Sequence, residues 1–254
     1  MNYLGIDIGS TSIKVALLSQ DKSILHRSVT QTAWGNGEKA NDILQEIQAS
    51  GYSCENLKIV ATGYGRISVD YADKAITEIS CHAKGASHIF AEKNATVIDI
   101  GGQDTKVIAI QNGRVADFLM NDKCSAGTGK FLQIMAETMK ISLPEMCEMA
   151  RDGENVQISS MCTVFAESEV ISLIAKGTPK KDIANAIIQS MANKVKSLSS
   201  RLATGSDIIY LTGGLCELDY VIESLSQALG KKVISAPEAR YAGAIGAGLF
   251  AMEL

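Results

Sequence analysis

The stretch from Gly5 to Lys22, GIDIGSTSIKVALLSQDK, overlays the stretch from Val97 to Arg114, VIDIGGQDTKVIAIQNGR, without a gap when the chain is slid along itself by 92 positions. Ile6, Asp7, Ile8, Gly9, Lys14 and Val15 recur as Ile98, Asp99, Ile100, Gly101, Lys106 and Val107. Self-similarity at a fixed offset marks a structural unit built more than once. Each copy reads the same way: an apolar strand ends in Asp-Ile-Gly, small polar residues turn the chain, and a second strand carries Lys near its start. Each is therefore a hairpin that opens one half of a duplicated α/β protein, with the boundary near Lys93.

Working outward from the first hairpin, the pattern predicts a strand near Ile24–Thr30, a helix over Lys39–Ala49, and a β-branched strand over Leu57–Thr62 that runs into Gly63-Tyr64-Gly65. A helix is predicted over Tyr71–Phe90. After the second hairpin come a strand over Arg114–Met120 and helices over Gly127–Met139, Pro144–Ala150, Val164–Ala175 and Lys181–Leu202. A strand over Asp207–Thr212 breaks at Gly213-Gly214, and helix Tyr220–Leu229, strand Lys232–Ser235 and helix Tyr241–Phe250 follow. Three strands in succession before helices and strands alternate predict a mixed sheet with helices on it, made twice.

Composition narrows the function. The 254 residues are 46% hydrophobic and 20% charged, enough for one large domain or two small ones. With 24 basic and 28 acidic residues the net charge is −4, and no basic block is present to neutralise a run of phosphates, which argues against nucleic acid as a partner. Apolar runs are short and Asp7 interrupts the N-terminal one, so neither a signal peptide nor a membrane span is expected and the predicted location is the cytoplasm. Cys54, Cys81, Cys124, Cys147, Cys162 and Cys216 form no C-x-x-C pair, so neither a disulfide framework nor a zinc ribbon is expected. His26, His82 and His88 leave little for a histidine-built metal site.

Two Gly-rich turns can grip a phosphate chain. Backbone N–H groups of Gly9, Ser10, Thr11 and Ser12, and of Gly101, Gly102 and Gln103, add donors without bulk. Asp7 and Asp99 would hold Mg²⁺ through its waters, and Lys14 could reach terminal phosphates. One D-x-G turn alone fits an ordinary hairpin whose Asp satisfies local donors; two with the same flanks favour a nucleotide site. Gly213-Gly214 offers bare backbone to a ribose or purine, and reads equally as a plain β-to-α turn. The small-residue stretch Gly243–Gly248 suits close helix packing. Gly127-Thr128-Gly129-Lys130 is followed by Phe131 rather than Ser or Thr, so it is no Walker A loop. Cys124 lies where a strand gives way to a helix and Cys162 just ahead of another, positions where a helix N-terminus favours a thiolate. Composition alone reads both as structural thiols.

Four of these motifs, DIGSTSIK, DIGGQDTK, LTGGL and AGAIGAG, occur in the order of the superfamily of actin, sugar kinases and acetate kinases, which the chain resembles end to end. The resemblance implies a duplicated, ribonuclease H-like α/β ATPase fold with mixed sheets and a nucleotide cleft between halves spanning 1–93, rejoined by 238–254, and 94–237. ATGYGR, EISCHA, VIDIGGQD, MNDKCSAGTGKFL and CTVFAESEVIS resemble, far more specifically, the ATP-dependent activators of 2-hydroxyacyl-CoA dehydratases, of the BadF/BadG/BcrA/BcrD type. That resemblance implies a homodimer sharing one [4Fe–4S] cluster on Cys124 and Cys162. It also implies ATP or ADP with Mg²⁺, ferredoxin or flavodoxin as electron donor, and a partner iron–sulfur dehydratase or reductase. Gln103 or Asp104 would orient the hydrolytic water. Gln133, at the nucleotide edge, stands where these activators often carry Asp, and Arg240 where Gln is common, departures that fit a branch with another partner such as a double-cubane-cluster protein. The competing expectations are a small-molecule kinase of the same superfamily and a non-redox, ATP-gated binding protein. Cys54, Cys81, Cys147 and Cys216 are read as structural.

Overall fold

The computed structural model describes residues 1–32, 36–154, 156–159, 162–202 and 207–254, with no side-chain description for 36–41. Ser160 and Met161 of the second cysteine motif lie outside the described residues. The chain divides into two compact units, one formed by Met1–Asn94, Ile110–Ala116 and Glu238–Leu254, the other by Ala95–Ala109 and Asp117–Pro237. Among the described residues no helix is long and apolar enough to cross a membrane.

In the first unit β1 (Tyr3–Ile8) pairs antiparallel with β2 (Ser12–Leu18), which pairs antiparallel with β3 (Ile24–Gln31). On its other side β1 runs parallel to β4 (Lys58–Thr62), which carries the two-residue edge strand β5 (Lys74–Ala75). The sheet order is therefore β3-β2-β1-β4-β5. One face packs Leu4, Ile6, Ile13 and Val15 against Ile43 and Ile47 of helix α1 (Asn36–Ala49). The other packs against α8 (Ala242–Ala251), which also touches α2 (Glu78–Ile89). Here the small residues have a steric cause. A Cβ on Gly5 would collide with the Ala244 carbonyl, and one on Gly246 with the Cys81 carbonyl, so the α8 backbone lies directly on β1 and α2. Overpacking such a contact costs on the order of 1–3 kcal/mol.

The second sheet repeats the plan. β6 (Ala95–Ile100), β7 (Thr105–Gln111), β8 (Arg114–Asn121), β9 (Ile208–Gly213) and β10 (Lys232–Ile234) stand in the order β10-β9-β6-β7-β8. β6 occupies the place of β1, parallel to β9 as β1 is to β4, and all six of its residues are buried. The helices are α3 (Gly129–Met139), α4 (Leu143–Ala150), α5 (Thr163–Ala175), α6 (Lys180–Ser199) and α7 (Asp219–Leu229). α6 buries Ile183, Ile187, Ile188, Met191 and Val195, one stripe at helical spacing, and lies beside α4 and α7. α4 opens with a capping box: the Glu145 N–H donates to Ser142 Oγ at 3.3 Å and the Ser142 N–H to the Glu145 carboxylate at 2.8 Å.

One sequence expectation about the elements needs correction. The predicted helix Tyr71–Phe90 begins only at Glu78, because its first residues bond to β4 instead. The Asp73 N–H donates to the Ile59 carbonyl, the Asp73 carboxylate accepts from the Ile59 N–H at 2.7 Å, and the Ile76 N–H donates to the Ala61 carbonyl. These tertiary bonds hold the segment extended as a sheet edge. Cys124 sits where a strand gives way to a helix, in the loop between β8 and α3, ahead of the α3 N-cap Thr128.

Candidate functional site

Each unit presents the same kind of turn between its first two strands. In the first, the Gly9 N–H donates to the Ser12 carbonyl at 3.1 Å; in the second, the Gly101 N–H donates to the Asp104 carbonyl at 2.9 Å. Those two amides close their own turns and are not the phosphate donors that the sequence suggested. Ser10, Thr11 and Gln103 are exposed, while Ser12, Lys14, Gly101 and Gly102 are partly so.

The paired aspartates lie at corresponding places in the two units, Asp7 on β1 opposite Thr62 and Asp99 on β6 opposite Thr212. Both are 2% exposed. Their surroundings differ. Asp99 Oδ1 accepts from the Thr212 hydroxyl at 3.0 Å and Asp99 Oδ2 lies 3.5 Å from the Lys106 ammonium. Asp7 Oδ1 is buried with no hydrogen-bond partner among the described residues, because the Thr62 hydroxyl donates to the Ile76 carbonyl instead. A buried carboxylate oxygen left bare is costly unless something binds it, and oxygen donors of this kind suit Mg²⁺. Asp7 therefore fits the cation that the sequence led us to expect. Asp99 is already balanced by protein.

Lys106 was passed over in the sequence, where only its repeat-mate Lys14 stood out as a phosphate contact. It is 1% exposed, 2.8 Å from Asp104 Oδ1, and its ammonium faces both carboxylates of the second turn. Asp104, one of the two candidates for orienting water, is thus tied to Lys106 and holds the turn in shape. Gln103 remains exposed. Gln133 is exposed on α3.

A further correspondence escaped the 92-residue overlay. Thr62 ends β4 and runs into Gly63 as Thr212-Gly213 ends β9, with φ of +86° and +90° at the two glycines. A Cβ would lie 2.5 Å from Asp7 Oδ1 at Gly63 and 2.7 Å from Asp99 Oδ1 at Gly213. The backbone thus passes next to both carboxylates where only glycine fits. The Gly65 and Gly214 amides bond back to the Ile8 and Ile100 carbonyls. The only sequence signal for this was the dipeptide Thr-Gly at the end of each fourth strand.

Of the six cysteines, all free, Cys124 and Cys162 alone are exposed. Cys162 is the N-cap of α5. The residues that follow them are bonded to each other, Ser125 Oγ to Thr163 Oγ1 at 2.7 Å, so the two cysteine segments are neighbours within the second unit. Thiols are soft-metal ligands, and these two are the accessible ones. Beside Cys124 is a cavity of about 270 Å³ lined by Asn121, Lys194, Arg201 and Thr105 among others. By contrast Cys81 and Cys147 are buried, and desolvation pushes their thiols up to about 12 and about 11. They are inert structural thiols.

The sequence matches the BadF/BadG/BcrA/BcrD ATPase family over residues 4–251. It is 43% identical over 253 residues to the (R)-2-hydroxyglutaryl-CoA dehydratase activating ATPase of Acidaminococcus fermentans, covering 98% of this chain and 96% of that protein. It is 40% identical over 256 residues to the activator of lactoyl-CoA dehydratase of Anaerotignum propionicum, covering 100% and 98%. The structure of the 2-hydroxyisocaproyl-CoA dehydratase activator from Clostridium difficile with bound ADPNP matches with a TM-score of 0.93 at 37% identity, covering 100% of this chain and 95% of that one. A ROK family glucokinase from Streptomyces griseus, 14% identical with a TM-score of 0.61 and full coverage of both chains, shares the fold alone. Its two mixed sheets of matching order and these likenesses make the chain a duplicated, actin-like α/β protein, and it belongs to the BadF/BadG/BcrA/BcrD ATPase family.

Proposed function

We propose that this chain is an ATP-dependent activator, coupling ATP hydrolysis to delivery of a low-potential electron to a partner enzyme of the 2-hydroxyacyl-CoA dehydratase type or to a double-cubane-cluster protein. The observation that carries this reading is the Ser125–Thr163 hydrogen bond, which keeps the exposed Cys124 and Cys162 segments side by side. Relatives named as dehydratase activators at 43% and 40% identity support it.

In this reading Asp7 binds Mg²⁺ through water, with Asp99 in the corresponding place on the second turn. Ser10, Thr11, Ser12 and Lys14, with Gly9 shaping their turn, and Gly102 and Gln103, with Gly101 shaping theirs, contact the phosphates. Gly213 and Gly214 face the nucleoside, as does Gln133. Gln103 orients the hydrolytic water, while Asp104 is held by Lys106. A [4Fe–4S] cluster takes four thiolates, and Cys124 and Cys162 offer two per chain, so a symmetric homodimer supplies the remaining pair. Bound there, the cluster supplies a one-electron carrier at the protein surface, with ferredoxin or flavodoxin as donor. Transfer to a low-potential acceptor is uphill, with each 59 mV about tenfold in equilibrium for one electron, so it needs a step coupled to ATP to be directional. Likeness to a sugar kinase in fold alone lends the kinase alternative no support.

The test is Cys124→Ser, purified without oxygen. Iron and sulfide should fall away and partner reduction should stop, while ATP binding persists. Unchanged iron content together with unchanged partner reduction would sink the assignment.

A further inference from the structure

Backbone accounting around Cys124 is unusual. Four consecutive carbonyls each accept from a side chain: Cys124 O from Asn121 Nδ2 at 2.8 Å, Ser125 O from the Thr128 hydroxyl at 2.7 Å, Ala126 O again from Asn121 at 3.2 Å, and Gly127 O from the Thr105 hydroxyl at 2.7 Å. Loop carbonyls more often turn to water. This loop is instead pinned along its length, and the pins lead to two places. Thr105, 1% exposed, is the residue directly after the second turn. That turn also grips the start of α3, where the Gly129 and Lys130 N–H groups donate to the Gly101 and Gly102 carbonyls, both at 2.9 Å. At the other end, Ser125 reaches Thr163, next to Cys162.

We infer that Ser125 and Thr105 are positioning residues, forming a hydrogen-bonded bracket that carries the nucleotide state of the Gly101–Asp104 turn to both cysteine segments. The inference rests on the proposed function for the identity of the turn's ligand. Physically, a shift of the Gly101 and Gly102 carbonyls moves the first turn of α3 and the Gly127 carbonyl together, since both are anchored to the same few residues. Short bonds, buried at Thr105–Gly127 and part-buried at Thr128–Ser125, transmit that displacement to Ser125, and the Ser125–Thr163 bond hands it to the start of α5. Coupling of this kind requires that nucleotide bias the bracket between arrangements, which is measurable.

The test is amide hydrogen exchange in the full chain with and without ADPNP and Mg²⁺, followed in peptides covering 101–105 and 162–168. In the wild-type protein nucleotide should change exchange severalfold in both. In Ser125→Ala the 101–105 response should persist while the 162–168 response falls to a third or less; Ser125→Thr, which restores a hydroxyl, should recover it. Thr105→Val, nearly isosteric, should weaken the 162–168 response without abolishing the first. A full 162–168 response in Ser125→Ala overturns the bracket, as does a wild-type protein that responds only at 101–105; either leaves the activator reading standing. No response to nucleotide at 101–105 in the wild type overturns the bracket and the nucleotide assignment of the turn together.

Discussion

Replacing Lys106 by Met separates the two copies of the repeat more sharply than any other single change. Met keeps the length of the side chain and removes its charge, leaving the buried Asp99 carboxylate facing an apolar group in place of a cation. Taking one partner from a buried ion pair costs roughly 3–5 kcal/mol, most of it the burden of the charge left behind. Two details set the value near the lower end. Thr212 continues to donate to Asp99 at 3.0 Å, and the Asp104 side chain, 27% exposed, can turn to water. The expected loss is about 3 kcal/mol, which for a domain of this size lowers Tm by roughly 6–12 °C. Lys14→Met is the control. Lys14 is only partly buried and forms no ion pair among the described residues, so its loss should cost less than about 0.5 kcal/mol. Thermal unfolding of both variants at neutral pH, in the absence of nucleotide, reads the difference. Equal Tm shifts in the two variants, or a Lys106→Met protein within 2 °C of wild type, roughly half a kcal/mol, would refute the assignment of Lys106 as the internal counter-ion of the second turn.

Ser142→Ala should lose the α4 capping box and about 1 kcal/mol, seen as a Tm lower by roughly 2–4 °C. Desolvation raises the folded-state thiols of Cys81 and Cys147 to about 12 and about 11, above their unfolded values. Their contribution to stability is complete below the unfolded thiol pKa and is lost as pH rises from roughly 9 toward those values, because the unfolded chain releases protons first. Urea unfolding between pH 8 and 11 should therefore show stability falling with pH, and Cys81→Ala should flatten the slope; an identical slope in that variant would remove burial of Cys81 as its cause.

The hairpin repeat and the order of the elements were legible in the sequence, because each rests on local pattern, whereas Cys124 and Cys162 were singled out by the family resemblance alone. Alternation of apolar residues sets strands, Asp-x-Gly sets turns, and helical spacing sets α3 to α7, so those elements lie within a few residues of their expected places. Where prediction failed, long-range bonds had overruled local preference. Residues 71–77 carry a helical pattern, yet Asp73 and Ile76 find partners on β4 and stay extended. The inequality of the repeated residues was invisible for the same reason. Asp7 and Asp99 share the context Ile-Asp-Ile-Gly, while Lys14 follows Ser12 by two residues where Lys106 follows Asp104. Only packing shows that Thr212 turns toward its aspartate while Thr62 turns away, and that Lys106 is buried where Lys14 is not. Likewise the spacing between Cys124 and Cys162 says nothing of their proximity; a single hydroxyl pair, 38 residues apart in the chain, decides it. The strands and turns follow from the sequence because backbone geometry answers to neighbours along the chain. Charge balance and the adjacency of the two cysteine segments answer to neighbours in space, which the tertiary fold alone supplies.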